Sequence, residues 1–74
     1  MDTMKGRVLI VDDDTALAEM LGIVLKSEGY EPSVVTRGDE AIGAFRETKP
    51  DLVLLDLLLP GRDGIDVCKE IRAE

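Results

Sequence analysis

The 74-residue chain contains no histidine and a single cysteine, Cys68. The lack of histidine excludes catalytic triads and zinc sites that depend on an imidazole group. One cysteine cannot form an internal disulfide, which is typical of proteins in a reducing cytosol. Tyr30 and Phe45 are the only aromatic residues. The core of the protein must therefore consist of aliphatic side chains and alanine.

Basic residues are also scarce, with 9 Lys and Arg against 16 Asp and Glu and a formal net charge of −7. Because phosphate binding requires clustered Lys and Arg, we expect no direct contact between this segment and nucleic acid. No apolar run approaches the roughly 18 residues of a membrane span, and the first residues do not lead into a signal-peptide core. We therefore expect a soluble, cytoplasmic protein without a membrane partner.

Three apolar runs predict β-strands. Residues 8–11 and 52–55 are unbroken apolar runs, which are typical of strands covered on both faces in a parallel sheet. Residues 33–36 form a weaker run. Pro32 at its start cannot donate to a strand ladder, which indicates the edge of a sheet.

Helical patterns follow each strand. The first helix begins at Asp14 or Thr15, which can serve as its N-cap, and Gly29 is placed to end it. Its apolar residues recur at helical spacing on one face: Leu17, Met20, Leu21, Val24 and Leu25.

Residues 38–40 are expected to open the second helix, with acidic residues in its first turn. This helix has Ala41, Ile42 and Phe45 on one face and ends at residues 49–51. Asp63 can cap a third helix, in which Ile65, Cys68 and Ile71 share a face. We expect Cys68 to be a core residue rather than a reactive thiol.

The order β-α-β-α-β-α predicts an α/β fold with a parallel sheet and right-handed crossovers. Because the second strand is the weakest, we expect it at the edge, which gives the strand order 2-1-3. The first helix and the next crossover then cover opposite faces, and the winding reverses between strands 1 and 3. Ligands of open α/β sheets bind at the carboxyl ends of the strands at such a point.

Aspartates stand at both of these strand ends. Strand 1 runs into Asp12, Asp13 and Asp14, and strand 3 runs into Asp56. Carboxylates brought this close together repel each other without a cation, and a ligand set made only of oxygen favours Mg²⁺. A carboxylate beside such an ion is a competent phosphoryl acceptor.

Each of these aspartates also has a simpler interpretation. Asp14 alone is more typical of a helix cap than of a ligand. Acidic triplets are often solvated loop ends, and Asp56 alone fits a strand end that accepts backbone N–H groups. The joint pattern of two apolar strands that both end in aspartate favours the metal site.

The segments VLIVDDDTALAEML and PDLVLLDLLLPGRDGIDVCKEIR resemble the amino-terminal part of bacterial response-regulator receiver domains. The subfamily that carries a winged-helix DNA-binding output domain is the most similar, and the resemblance covers essentially the whole chain. It implies a flavodoxin-like receiver fold and a non-enzymatic role in transcription control by a two-component system.

The resemblance also implies a role for individual residues. Asp56 is expected to take a phosphoryl group from a sensor histidine kinase. Asp13 is expected to bind Mg²⁺ directly, Asp12 to hold it through water, and the backbone carbonyl of Leu58 to complete the protein ligands with Asp56. Pro60 and Gly64 match the turn that shapes the loop after the acceptor.

Receiver domains have five strands and five helices, whereas these 74 residues contain three of each. The Ser or Thr and the Lys that contact the phosphoryl oxygens have no counterpart, and neither does the DNA-binding domain. We therefore expect residues 1–74 to form one incomplete receiver domain that is impaired in switching. We expect its fold to be completed by homodimerisation or strand exchange.

Two other functions remain open on the sequence. One is a non-catalytic half-domain that assembles through its exposed sheet edge. The other is an aspartate-nucleophile phosphatase, which is disfavoured because Leu58 stands where a second acid is expected.

Overall fold

The structure is a computed structural model that describes residues 5–56 and 64–73. Strands and helices alternate along the chain as the sequence predicts. The elements are β1 (Gly6–Val11), α1 (Thr15–Ser27), β2 (Tyr30–Val35), α2 (Ala41–Thr48), β3 (Leu52–Leu55) and α3 (Gly64–Arg72). A short 3₁₀ turn, Gly38–Glu40, leads into α2. No helix in the described ranges has the length and apolar character of a membrane span.

The three strands form one parallel sheet in the order β2-β1-β3, which confirms the predicted topology. β2 begins at Tyr30, earlier than predicted, so Pro32 lies inside the strand. The carbonyl of Val35 accepts from the N–H of Asp12 and therefore faces β1. Alternate residues of a strand share a direction, so the nitrogen of Pro32 lies on the outer edge, where no ladder bond is lost.

Helices cover both faces of the sheet. On one face, the buried residues Val8, Ile10 and Ala18 pack with Leu21, Leu25 and Leu54, so α1 lies on this side. On the other face, the buried residues Leu9, Val11, Ala41 and Val67 belong to β1, α2 and α3. The predicted reversal of winding between β1 and β3 is therefore confirmed, and β1 is apolar and buried on both sides.

Two helix faces differ from their predictions. On α1, Leu17, Met20 and Val24 are 42–59% exposed, and the small side chain of Ala18 is the one that is fully buried against the sheet. On α3, Val67 is fully buried, whereas Ile65 is 53% exposed. Cys68 is a half-buried free thiol. The predicted core face of α3 was therefore wrong for Ile65 and right for Ile71, because the inward side of the helix is formed by Val67 and, one turn later, Ile71.

The helix ends follow the predicted signals. Asp14 is the N-cap of α1, and its side chain accepts from the N–H of Leu17 at 3.1 Å. Gly29 follows this helix with φ +96°, a conformation that favours glycine. Lys49 ends α2 in the left-handed region, with φ 49°. Asp63, the predicted cap of α3, lies outside the described residues.

Candidate functional site

The backbone places Asp12 and Asp56 side by side at the carboxyl end of the sheet. The N–H of Asp12 donates to Val35 of β2 at 3.0 Å, and the N–H of Asp56 donates to Val11 of β1 at 2.9 Å. Each aspartate is the first residue after its strand, and each is still tied to the neighbouring strand. The positions of both carboxylates are therefore determined by the sheet.

The side chains of Asp12, Asp13 and Asp56 converge. One carboxylate oxygen from each residue lies within 4.8 Å of the corresponding oxygens of the other two. Asp12 and Asp56 are half-buried, and Asp13 is exposed. The structure thus brings together the three aspartates that the sequence singled out, and it shows no other cluster of this kind in residues 5–56 and 64–73.

Asp14 has a different role from these three. Its side chain caps α1, as the simpler interpretation of this residue predicts. Its backbone N–H also donates to Oδ1 of Asp12 at 3.0 Å. This bond restrains the Asp12 carboxylate and uses only part of its accepting capacity, because a carboxylate has about four acceptor sites. Asp12 therefore retains capacity to bind a cation.

An open crevice of about 760 Å³ adjoins the carboxylates between α1 and β3. The walls that face the cluster include Leu17, Leu21 and Leu54, so the crevice is apolar beside an acidic end. A ligand in this crevice can approach the acidic end directly from solvent. The arrangement suits a small charged group that must enter and leave.

The donor set fits a hard divalent cation. Three carboxylate oxygens repel each other at this separation, and a divalent ion removes that repulsion. Oxygen ligands suit Mg²⁺ or Ca²⁺, whereas softer metals prefer sulfur and imidazole. The chain has no histidine, and its one cysteine lies in α3, away from the cluster.

Some of the predicted site residues cannot be assessed from the structure. Leu58, whose backbone carbonyl was predicted to be a metal ligand, and Pro60 lie outside the described residues. Gly64 is the first residue of α3.

Sequence reasoning missed the role of Asp51, which it treated only as part of a helix break. Oδ2 of Asp51 accepts from the backbone N–H of Arg7 at 2.8 Å, and the N–H of Asp51 donates to the carbonyl of Arg7 at 2.8 Å. No local pattern in the sequence identifies this partner, because Arg7 and Asp51 are 44 positions apart in the chain.

Comparison with known proteins decides the family. Residues 8–74 match the model of the response regulator receiver domain. The chain belongs to this family. The resemblance found in the sequence is therefore confirmed, and so is the receiver fold.

The receiver domain is 60% identical over all 74 residues to the DNA-binding response regulator MtrA of Mycolicibacterium smegmatis and to MtrA of Mycobacterium tuberculosis. It matches the amino-terminal part of these proteins and spans about a third of their length, 32%. The match covers only one part of a longer regulator in each relative.

Solved receiver domains share the fold. The BeF3-activated receiver domain of Klebsiella pneumoniae RstA superposes with a TM-score of 0.88 at 35% identity, over 92% of this chain and 58% of that one. The response regulator TrrA of Thermotoga maritima, solved in complex with Mg²⁺-BeF, gives 0.84 at 42% identity, over 90% of this chain and 58% of that one.

Proposed function

We propose that this receiver domain is a phosphoacceptor module of a two-component system, with Asp56 as the residue that is phosphorylated. The observation that carries the proposal is the convergence of Asp56 with Asp12 and Asp13 within 4.8 Å at an open end of the sheet. Membership of the family supports the same role. The donor is a phosphohistidine of a sensor histidine kinase.

The proposed step is a phosphoryl transfer between side chains. A carboxylate oxygen of Asp56 attacks phosphorus, and a P–O bond forms while the P–N bond to the kinase histidine breaks. The imidazole nitrogen leaves with the electron pair of the broken bond and takes up a proton from solvent. The product is an acyl phosphate on Asp56. Receiver domains are in general not classical enzymes, and here the protein's own side chain is the acceptor.

Asp12, Asp13 and Asp56 are the residues that would hold Mg²⁺, with the carbonyl of Leu58 as a further ligand that the family resemblance implies. When bound, the ion offsets the negative charge that develops on the phosphoryl oxygens. The Mg²⁺-BeF complex of TrrA supports this choice of metal. The hydrogen bond from Asp14 to Asp12 keeps one carboxylate oriented before any ligand arrives.

We further propose that phosphorylation acts through a DNA-binding output domain like that of the MtrA relatives, in the cytoplasm. The receiver segment itself makes no contact with DNA in this proposal, because its formal charge is −7.

The test is phosphorylation of the purified chain with a small phosphodonor such as acetyl phosphate, with Mg²⁺ or with EDTA. We expect one phosphoryl group per chain by intact mass, dependent on Mg²⁺ and lost in Asp56→Asn. Asp66→Asn, which alters an exposed aspartate in the first turn of α3, is the matched control and should be labelled normally. Labelling that persists in Asp56→Asn would contradict the assignment.

A second candidate function is self-association through β3. Within the described residues β3 pairs with a strand on one side only, and an open strand edge is a template for pairing. Exposed apolar side chains on α1 and β3 accompany this edge, among them Met20, Val24 and Leu52. Analytical ultracentrifugation should show a homodimer that Asp56→Asn does not alter. A compact monomer at micromolar concentration would rule this candidate out.

A further inference from the structure

The apolar sequence of β3 does not specify how this strand aligns with β1. Residues 52–59 read LVLLDLLL, so every position except 56 is Leu or Val. Val53 and Leu55 pack on the side of α2 and α3, whereas Leu54 packs on the side of α1. Because both faces of the strand are apolar, a shift by one residue exchanges one aliphatic side chain for another. Apolar burial therefore discriminates poorly between registers.

The carboxylate cluster, in contrast, depends strictly on the register. The observed alignment pairs Val11 with Leu55, which puts Asp56 next to Asp12. A shift by one residue would move Asp56 by about 3.3 Å along the strand and turn its side chain to the opposite face. Leu55 or Leu57 would then take its place beside Asp12. The cluster therefore requires one particular register of β3 against β1, which the surrounding apolar contacts do not determine.

A pair of hydrogen bonds ties the start of β3 to β1. The carboxylate of Asp51 accepts from the N–H of Arg7 at 2.8 Å, and the N–H of Asp51 donates to the carbonyl of Arg7 at 2.8 Å. Neither neighbour of Asp51 can replace it. Pro50 has no N–H to donate, and the side chain of Leu52 has no acceptor.

Gly6 makes room for this pair. A Cβ atom at position 6 would lie 3.0 Å from Oδ2 of Asp51, a tight contact that the carboxylate could relieve only by moving a few tenths of an ångström. Glycine at this position therefore favours the close approach of the Asp51 carboxylate to β1.

We propose that Asp51 is a positioning residue that sets the register of β3 against β1 and thereby brings Asp56 to Asp12 and Asp13. The inference rests on the proposed function only where it concerns Mg²⁺. The register itself is a property of the sheet.

The test compares Asp51→Ala with Asp51→Asn in the 74-residue chain. Cross-strand NOEs between Val11 and Leu55 report the register, and a calorimetric titration with Mg²⁺ alone reports the site. In Asp51→Ala we expect loss of the native NOE pattern and Mg²⁺ affinity weaker by about tenfold or more. Asp51→Asn retains an acceptor oxygen, so we expect its register to be native and its affinity to stay within about threefold of wild type.

Val53→Ala is the control for a purely structural effect. Val53 packs against the core from β3 but takes no part in the bonds to Arg7. This variant should lower the stability of the fold while keeping the native register and a Mg²⁺ affinity within about threefold of wild type.

A folded Asp51→Ala with the native register and near-wild-type Mg²⁺ affinity would overturn the proposal. If Asp51→Ala does not fold, Gly6→Ala decides, because it keeps the carboxylate while its added Cβ atom presses on Oδ2 and strains the bond to Arg7. We expect weaker native NOEs and a lower Mg²⁺ affinity in that variant, and NOEs and an affinity equal to those of wild type would refute the inference. If the wild-type chain fails to bind Mg²⁺, the proposed function fails, while the NOEs still test the role of Asp51.

Discussion

The backbone N–H of Asp56 donates to the carbonyl of Val11 at 2.9 Å, so the candidate acceptor lies against the last residue of the buried central strand. Val11 is fully buried, and the next residue, Asp12, carries the first carboxylate of the cluster. A single bond thus joins the strand ends that hold the two halves of the site. The same proximity forces like charges together, which has consequences for stability.

Asp13→Asn should stabilise the metal-free protein and weaken its binding of Mg²⁺. Each pair of carboxylates at this separation repels by about 1 kcal/mol in a water-like dielectric, and the substitution removes two such pairs. Urea denaturation in EDTA and again in Mg²⁺ measures both effects. The order of stability of wild type and variant should reverse between the two conditions. A variant less stable than wild type in EDTA would contradict the assigned repulsion.

Asp14→Ala should destabilise the fold by about 1 kcal/mol, because α1 loses its N-cap bond to Leu17. Asp14→Ser retains a capping oxygen and should recover most of the loss. Chemical denaturation of both variants distinguishes a cap from a charge effect, since both lack the carboxylate. Equal stability of the two would argue against capping.

Gly43→Ala should stabilise the protein by about 0.5–1 kcal/mol, since Gly43 lies inside α2 and a Cβ atom there would meet nothing within 4 Å. Gly29→Ala should have the opposite effect, because Gly29 has φ +96°. The shift in thermal midpoint measures both. Stabilisation by Gly29→Ala would show that the backbone at this helix end differs from the structure.

The pKa of Asp39 should be lower than that of an ordinary aspartate. The Arg37 guanidinium donates to both of its carboxylate oxygens, at 3.0 and 3.1 Å, and these hydrogen bonds lower the pKa of Asp39. The ion pair contributes its small stabilisation above the pKa of the unfolded chain and loses it as the pH falls through the lowered value. Carboxyl NMR titration should show the pKa of Asp39 rising to the ordinary range in Arg37→Gln. An unchanged value in that variant would exclude Arg37 as the cause.

The topology and the carboxylate cluster were predictable because they depend on features that are local in the sequence. The strands β1 and β3 are apolar runs that each end in aspartate. The weaker strand, β2, contains Pro32, which indicates a position at the edge of the sheet. The strand order then brings Asp12 and Asp56 together without any knowledge of side-chain contacts.

The helix faces and the register bonds were not predictable in the same way. The apolar residues of α1 cover a wider part of the helix surface than the part that contacts the sheet. The fully buried residue of this helix is Ala18, and its small side chain does not stand out in a pattern of large apolar residues. On α3, both Val67 and Ile65 are apolar, so the sequence does not show which of them is buried. The packing of the helix against α2 and the sheet buries Val67. The bonds of Asp51 join distant residues, which no local pattern records.

Arg7 and Asp51 are 44 positions apart in the chain. The strand pairing that they begin closes a long loop, which is an entropically costly and slow kind of contact compared with the formation of single helices. The carboxylate cluster therefore cannot form in a partly folded chain that has only its helices and the parallel pair of β1 and β2. Saturating Mg²⁺ at about a hundred times its dissociation constant would favour the folded state by about 2.7 kcal/mol. On the proposed function, cation binding and completion of the sheet are therefore linked equilibria.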